Sequence, residues 1–369
     1  MNTPENFNEK TDISRPVTVC ESDSPVCNMQ AFVEKSSTTY YFYLFEPVKK
    51  IMNVCWICNR KPAPQTFDPD SMKNGNAPMM TADSILHDAN GIDLEDDKLS
   101  IIWFEQGTSA ALLCGDELIC VIPEWSGYKD FHGYSKYAAG TGRYAWTMKD
   151  AAEGLSERVE KSRKLWNNFG TIESSRKYMM GQLSEVLNFL SVHGNDFDIS
   201  NNRFPSKAVV SGSKDNICYC LTVGASLVAM PNVEMYLGED SDSFKRTEFG
   251  FAANSKFRQL IHPMAGILGF YTEFPWTEYT FFAHGHTIPF NKLKGFEAVV
   301  FVNPDIAKDI EKPEYPDFQD GTKVNLLWAV PLTKSEYDFA ASHTIDELLS
   351  HAKDIASLHI FDGSPKFNL

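Results

Sequence analysis

Two cysteines, Cys55 and Cys58, are separated by two residues, a spacing that is typical of metal-binding and redox sites. Thiolates at that spacing bind zinc or cycle as a dithiol. A structural zinc site needs four ligands, however, and no second pair with the same spacing is present. Free cysteine is also often simply buried. Two roles for Cys55 and Cys58 therefore stay open, packing in the core and a metal or redox function. No metal site is predicted.

Two histidines, His284 and His286, could place their imidazoles on one face of a strand. No carboxylate or cysteine stands beside them, whereas a catalytic zinc site needs three protein ligands. Ser226 follows Gly224 but lacks the second glycine of a nucleophile elbow. Turn or strand histidines and an ordinary serine are the simpler interpretation. The sequence thus predicts no catalytic residue and no cofactor.

Acidic and aromatic side chains cluster in two loop-like segments. Trp125, Phe131 and two tyrosines lie in a glycine-containing stretch, and three carboxylates lie in the stretch 239–242. Exposed aromatics form binding hot spots, and binding residues are often carried by loops that ordered elements flank. The alternatives are a lid over the core for the aromatics and a solvated loop for the acids. The predicted partner-binding residues are Tyr128, Tyr134, Glu239, Asp240 and Asp242.

The net charge is −15, from 34 Lys and Arg against 49 Asp and Glu, and the acidity is spread along the chain. Such a field disfavours nucleic acid and anionic membranes, and it suits a basic partner, although solubility alone would also explain it. No apolar run reaches the length of about 20 residues that a membrane span needs. The first residues lack the pattern of a secretory signal. A cytoplasmic location is therefore expected.

The elements that would position these residues begin after a polar segment. Residues 1–36 contain three prolines and are expected to form a flexible arm. The aromatic run from Thr39 predicts a strand, and a hairpin is expected over Ser109–Ile122 with its turn at Gly115 and Asp116. Residues 60–98 are rich in Pro, Asp, Asn and Gly and predict a long loop.

Apolar spacings of three and four predict helices over 148–169 and 172–192, with Gly194 as the cap of the second. A helix over 256–273 is expected to kink or break at Pro263, and two Thr-x-x-Glu boxes start helices at Thr333 and Thr344. Further strands are expected in the C-terminal half: Lys207–Ser211, Ile217–Val223, Val233–Leu237, Thr247–Ala252, Phe296–Val302 and Val324–Val330. The fold class is therefore α+β, with mixed or antiparallel sheets flanked by helices. The predicted domains are 37–170 and 171–369.

Several stretches of the C-terminal half match one family in order and spacing. They are Cys220-Leu-Thr-Val-Gly-Ala-Ser-Leu227, Arg246-Thr-Glu-Phe-Gly-Phe251, Tyr271-Thr-Glu, His286-Thr-Ile-Pro-Phe290 and Val324-Asn-Leu-Leu-Trp-Ala-Val-Pro-Leu-Thr333. Residues 205–352 thereby resemble the suppressor of fused (Sufu) domain family. The smaller N-terminal α+β part looks like the region that accompanies bacterial members, on Trp103-Phe-Glu, Val121-Ile-Pro, Gly133-Tyr134 and Trp166.

The resemblance implies a protein-binding module and not an enzyme. Animal members hold a transcription-factor peptide, partly by pairing backbone strands, and bacterial members are thought to act as immunity proteins against secreted toxins. We therefore expect a bacterial immunity or sequestering protein that neutralises a partner, such as a basic toxin, by direct binding. An interaction scaffold in another pathway and an enzyme with a pocket between residues 60–98 and 125–144 remain as alternatives. The family offers no catalytic residues to carry over.

Overall fold

A computed structural model of the chain describes residues 15–71 and 77–369. The chain divides into two compact units. Unit 1 takes the described residues up to Ser24 together with Asn28–Arg163, and unit 2 takes Pro25–Cys27 and Lys164–Leu369. The two units meet within a helix, α1, that covers Ala152–Phe169. The domain boundary predicted at residues 170–171 stays a prediction.

The first sheet of unit 1 is an antiparallel meander in the order β1-β2-β3-β4. The strands span Val17–Asp23 (β1), Gln30–Lys35 (β2), Thr39–Glu46 (β3) and Ile51–Asn59 (β4). The predicted strand at Thr39 is confirmed as β3. Tyr40, Phe42 and Leu44 are fully buried, so the aromatic run fills the core of unit 1.

Strands β1 and β2 correct the expectation of a flexible arm over residues 1–36. They pair with each other from Val17 to Lys35, and Ala31 and Val33 of β2 are fully buried. The polar composition of the segment favours disorder, but the apolar side chains of β2 alternate and so give the strand one buried face. Residues 1–14 of the expected arm lie outside the described residues.

The second sheet of unit 1 has the order β5-β6-β7-β8-β9. Its strands are Leu99–Trp103, Ala110–Cys114, Glu117–Ile122, Tyr134–Ser135 and Trp146–Thr147. The predicted hairpin is confirmed as β6 and β7, and its turn uses Gly115 at a φ of 61°. The described part of the long loop 60–98 is tied to β4, because the Asn59 Nδ2 atom donates to the Met80 carbonyl at 2.7 Å.

Unit 2 is built on a mixed sheet with the strand order β10-β11-β12-β13-β16-β15-β14, and β17 also pairs with β13. The strands are Val192–Asp198, Ala208–Lys214, Ile217–Val223, Arg246–Asn254, Thr287–Pro289, Ala298–Val302, Val324–Leu332 and Ile360–Phe361 (β10–β17). Together with the helices, this confirms the α+β class with mixed and antiparallel sheets.

The sheet consists of two antiparallel halves joined by one parallel pair. Strands β10, β11, β12 and β13 form one half, and β14, β15 and β16 form the other. The halves meet where β13 runs parallel to β16, with Arg246 opposite Val324 and Gly250 opposite Trp328. We call this pair of strands the seam. It joins segments that lie far apart in the sequence.

The first long helix of unit 2, α2, starts where the sequence predicts and ends earlier. Helix α2 covers Ile172–Phe189 and ends before Gly194, which lies in β10 instead of capping the helix. The remaining helices are Val233–Leu237 (α3), Ile261–Tyr271 (α4), Phe274–Glu278 (α5), Pro304–Ala307 (α6), Lys334–Ala340 (α7) and Ile345–Ser350 (α8). Both predicted capping boxes are confirmed, at Thr333 and Thr344.

Two predictions about local structure are wrong. Val233–Leu237 is the helix α3 and not a strand, because Val233 and Leu237 are spaced to share one helix face and Gly238 then ends the helix at a φ of 55°. Pro263 does not kink a helix over 256–273. It is the third residue of α4, where its missing N–H is one that a first turn leaves unpaired in any case.

Gly250 lies against the largest buried ring of unit 2. A Cβ atom built at Gly250 would lie 2.6 Å from the Trp328 Cζ3 atom, and the Trp328 ring is fully buried. We expect Gly250→Ala to destabilise unit 2 by about 1–3 kcal/mol, because overpacking forces neighbouring side chains to shift. Urea unfolding checks this. Gly266→Ala in α4 is the matched control, because nothing lies within 4 Å of its Cβ position and the substitution should be neutral or stabilising.

Candidate protein-binding surface

The predicted acidic residues lie directly after α3. Glu239, Asp240 and Asp242 belong to a 3-10 turn over Gly238–Ser243, and all three are exposed. The turn is held at its end by an ion pair of 2.6 Å between Lys245 Nζ and Asp242 Oδ1. Glu239 and Asp240 make no ion pair with any residue that the structure describes. Two carboxylates of this turn are therefore available to a partner.

Helix α3 adds exposed apolar side chains to this turn. The Tyr236 side chain is 68% exposed and the Met235 side chain 40% exposed. The Tyr236 ring lies 5.5 Å from the ring of Phe281, which supports it from one side. We call the exposed side chains of Met235, Tyr236, Glu239, Asp240 and Asp242 the α3 surface. An aromatic ring flanked by carboxylates suits the side chains of lysine and arginine.

A buried polar network beneath the sheet fixes the segment that leads to α3. The Arg246 side chain is fully buried, and its Nη1 atom donates to the Leu227 carbonyl at 2.6 Å. The Glu248 carboxylate accepts from the Ser226 N–H at 2.8 Å and from the Ser226 hydroxyl at 2.7 Å. Residues 226–227 are thereby tied to β13 at two points. The α3 surface thus starts from a rigid base.

Further contacts of the network come from the loop before β16 and from β12. Arg246 Nε donates to the Thr322 hydroxyl at 2.8 Å, and the guanidinium lies 3.7 Å from the centre of the Phe318 ring. The Thr222 hydroxyl donates to Glu248 at 2.6 Å. Burial raises the pKa of Glu248. Its hydrogen bonds and the positive charge of Lys207 oppose this effect, because they lower the pKa. Every charged group named here already has partners within the protein, so the network is structural in kind.

The predicted aromatic residues belong to unit 1. Tyr128 follows Gly127, which has a φ of 91°, and its side chain is 53% exposed. Tyr134 lies in β8, is half-buried, and contacts the Phe131 ring at 4.9 Å. Tyr128 is therefore open to a partner, whereas much of Tyr134 packs on unit 1. The partner-binding roles of Tyr128, Tyr134, Glu239, Asp240 and Asp242 stay predictions.

The cysteines and histidines that could bind a metal are buried or half-buried in the two units. Cys55, Cys58 and Cys120 are fully buried in unit 1, and burial raises the pKa of the Cys58 thiol well above its usual value. Burial lowers the pKa of His284, whose Nδ1 atom accepts from the Asn303 N–H at 3.1 Å. Among residues 15–71 and 77–369, no group of three or more His, Cys, Asp or Glu side chains is placed to hold a metal ion.

Among the residues that the structure describes, no helix has both the length and the apolar character needed to cross a bilayer.

The sequence analysis missed Tyr236 and the Arg246–Glu248 network. Tyr236 was hidden because α3 was interpreted as a strand, although the spacing of Val233 and Leu237 favoured a short helix with Tyr236 facing away from the core. Arg246 and Glu248 carried a clearer signal. They alternate within an apolar strand, and charged residues in such a position must be paired when they are buried.

Comparison with known proteins identifies a family for part of the chain. Residues 206–364 match the model of the family described as Suppressor of fused protein (SUFU). A search of curated proteins finds no match, and a search of solved structures finds none. The matched range lies within unit 2 and contains the seam and the α3 surface, whereas Tyr128 and Tyr134 lie outside it. Residues 206–364 of this chain are therefore similar to the suppressor of fused family.

Proposed function

We propose that this chain is a protein-binding module that sequesters a basic protein partner on the α3 surface. The suppressor of fused family is one of protein-binding regulators, so its domain indicates a protein-interaction role. The observation that carries the proposal is the exposed Tyr236 ring of α3, followed directly by the turn that carries Glu239 and Asp240, two carboxylates without an ion pair among the described residues. Aromatic anchors of this kind dominate the energies of protein interfaces.

The charge of the chain supports a basic partner in particular. The net charge of −15 attracts cationic proteins over a distance and speeds their association at low salt. A protein that neutralises a toxin in the cell needs fast capture and then a tight fit. The proposal is therefore an immunity or sequestering role in the cytoplasm, with a basic toxin as the partner. The absence of enzymatic activity is part of the same proposal, because Arg246 and Glu248 are used up by contacts within the fold.

Capture of the partner is the first experiment. The full chain serves as bait in a lysate of its own host at low salt, and bound proteins are identified by mass spectrometry. The expected result is a basic protein that rising salt releases. The captured protein is then expressed in cells with and without this chain. The chain is expected to relieve the toxicity of the captured protein. A captured partner that is not basic, or a toxicity that co-expression does not change, would contradict the immunity role.

Substitutions on the α3 surface test the site itself. Tyr236→Ala is expected to weaken binding of the captured partner by about 10-fold or more, because it removes an exposed aromatic anchor. Glu239→Lys with Asp240→Lys should weaken it as strongly and reduce the salt dependence of the affinity. Isothermal titration calorimetry measures both effects.

A matched variant separates the site from a general charge effect. Asp116→Lys with Glu157→Lys makes the same change of net charge at exposed positions of unit 1. It should change the affinity far less than the reversal at Glu239 and Asp240. Equal losses from the two double variants would mean that the α3 surface is not the contact. If Tyr128→Ala weakened the binding of the partner and the α3-surface variants did not, the contact would instead be assigned to unit 1.

A further inference from the structure

A cavity of about 430 Å³ opens in unit 2 at the edge of the sheet. None of the residues that line it belongs to the α3 surface. Strands β10 and β11 form one wall and the start of α4, with the residues just before it, forms the other. The pairing of β10 with β11 is irregular between His193 and Asp196, so the strand bends beside the cavity. Cavities of this size bind small organic molecules.

Among the described residues that line the cavity, Arg258 is the one with a formal charge. Arg258 is exposed and makes no ion pair with any described residue, which is notable in a chain with a net charge of −15. His193 and His262 also line the cavity. The nearby carboxylate of Asp196 is held by His193, with 2.7 Å between Nε2 and Oδ1. Arg258 is thus left with an unused forked set of donors, the geometry that suits carboxylate and phosphate groups.

Neutral polar groups and apolar side chains complete the lining. The Ser213 hydroxyl makes no hydrogen bond with another described residue and lines the same cavity. Phe197 contacts the His262 ring edge-on at 5.2 Å, and Ile261 and the buried Cys218 lie on the same lining. An anionic group at Arg258 would therefore have an apolar and aromatic wall beside it.

We propose that this cavity binds a small organic anion, in which a phosphate or carboxylate group pairs with Arg258 and an apolar body packs against Phe197. Inorganic ions lack the body and should bind more weakly than organic anions of the same charge. The proposal is independent of the protein-binding role, because the cavity and the α3 surface share no residue.

Binding of simple probes to the full chain tests the proposal. Phenyl phosphate, benzoate and inorganic phosphate are titrated separately, followed by chemical-shift changes or calorimetry, with benzylamine as a cationic probe of similar size. We expect one of the two aromatic anions to bind, and to bind more tightly than inorganic phosphate. Phenyl phosphate alone would assign the site to phosphate esters, and benzoate alone would assign it to carboxylates. Binding of neither below about 10 mM, or binding of benzylamine equally well, would overturn the proposal.

Variants of arginine show whether the probe occupies this cavity. Arg258→Gln is expected to raise the dissociation constant by about 10-fold or more, because it removes a charge-assisted pair. Arg203→Gln removes an exposed arginine elsewhere in unit 2 and should leave the constant unchanged. Phe197→Ala should weaken phenyl phosphate or benzoate but not inorganic phosphate. An unchanged constant for Arg258→Gln, or equal losses for both arginine variants, would show that the probe binds elsewhere.

Discussion

Arg246→Met is expected to destabilise unit 2 by about 3–5 kcal/mol, the cost of removing one member of a buried charged network. Methionine fills much of the space but makes none of the hydrogen bonds to the Leu227 carbonyl and the Thr322 hydroxyl. The Phe318 ring also loses the guanidinium that lies 3.7 Å from its centre. The carbonyl groups left without donors are buried, so water cannot replace the lost contacts.

Urea unfolding with hydrogen exchange resolved to unit 2 measures this effect. Arg246→Lys should give an intermediate loss, because lysine keeps the charge but not the forked geometry. Arg203→Met removes an exposed arginine and should change the stability by less than about 0.5 kcal/mol. A loss below about 1 kcal/mol for Arg246→Met would mean that the network does not stabilise the seam.

Acid is expected to weaken unit 2 through one buried histidine. The His359 side chain is only 2% exposed, and neither ring nitrogen has a hydrogen-bond partner among the described residues. Its ring lies 4.8 Å from the ring of Trp328. Burial, with a smaller effect of Lys366, lowers the pKa of His359 from 6.5 to about 4. The folded chain therefore holds this imidazole neutral at a pH where the unfolded chain protonates it.

The direction of the pH effect follows from these two values. Between about pH 6.5 and pH 4 the unfolded state binds more protons at His359, so stability falls as the pH falls through that window. The expected loss is up to roughly 3 kcal/mol by pH 4, and it is absent above pH 6.5. His359→Phe should flatten this part of the stability profile, whereas His351→Phe at an exposed position should not. A profile for His359→Phe that still falls as steeply would assign the acid sensitivity to other groups.

The class of the fold could be predicted from sequence because its strands carry strong signals. The aromatic run of β3 and the apolar run of β16 are buried along most of their length. The hairpin at Gly115 has its turn residues in place. Strand β10 could not be found in this way. Most of its side chains are exposed because it forms the edge of the sheet, so it lacks the alternation that marks a half-buried strand.

The candidate sites show a different limit of sequence reasoning. Glu239 and Asp240 were found from loop composition alone, but Tyr236 depends on which face of a short helix points outward. The cavity at Arg258 depends on the approach of α4 to β10, and these elements are far apart in the sequence. Spacing within one segment carries no information on such approaches. Only the pairing of distant segments brings Arg258 and Phe197 to one cavity.

The seam between β13 and β16 has a consequence for how the chain is made. Each antiparallel half pairs strands that lie near one another in the sequence, so each can form soon after it leaves the ribosome. The seam edge of β13 stays unpaired until Val324–Leu332 has been synthesised. Strand β13 is apolar over most of its length. During that interval β13 presents an unpaired strand edge that can join other chains. Yield in cells should therefore respond to synthesis rate and chaperone supply more than the stability of the finished fold would indicate.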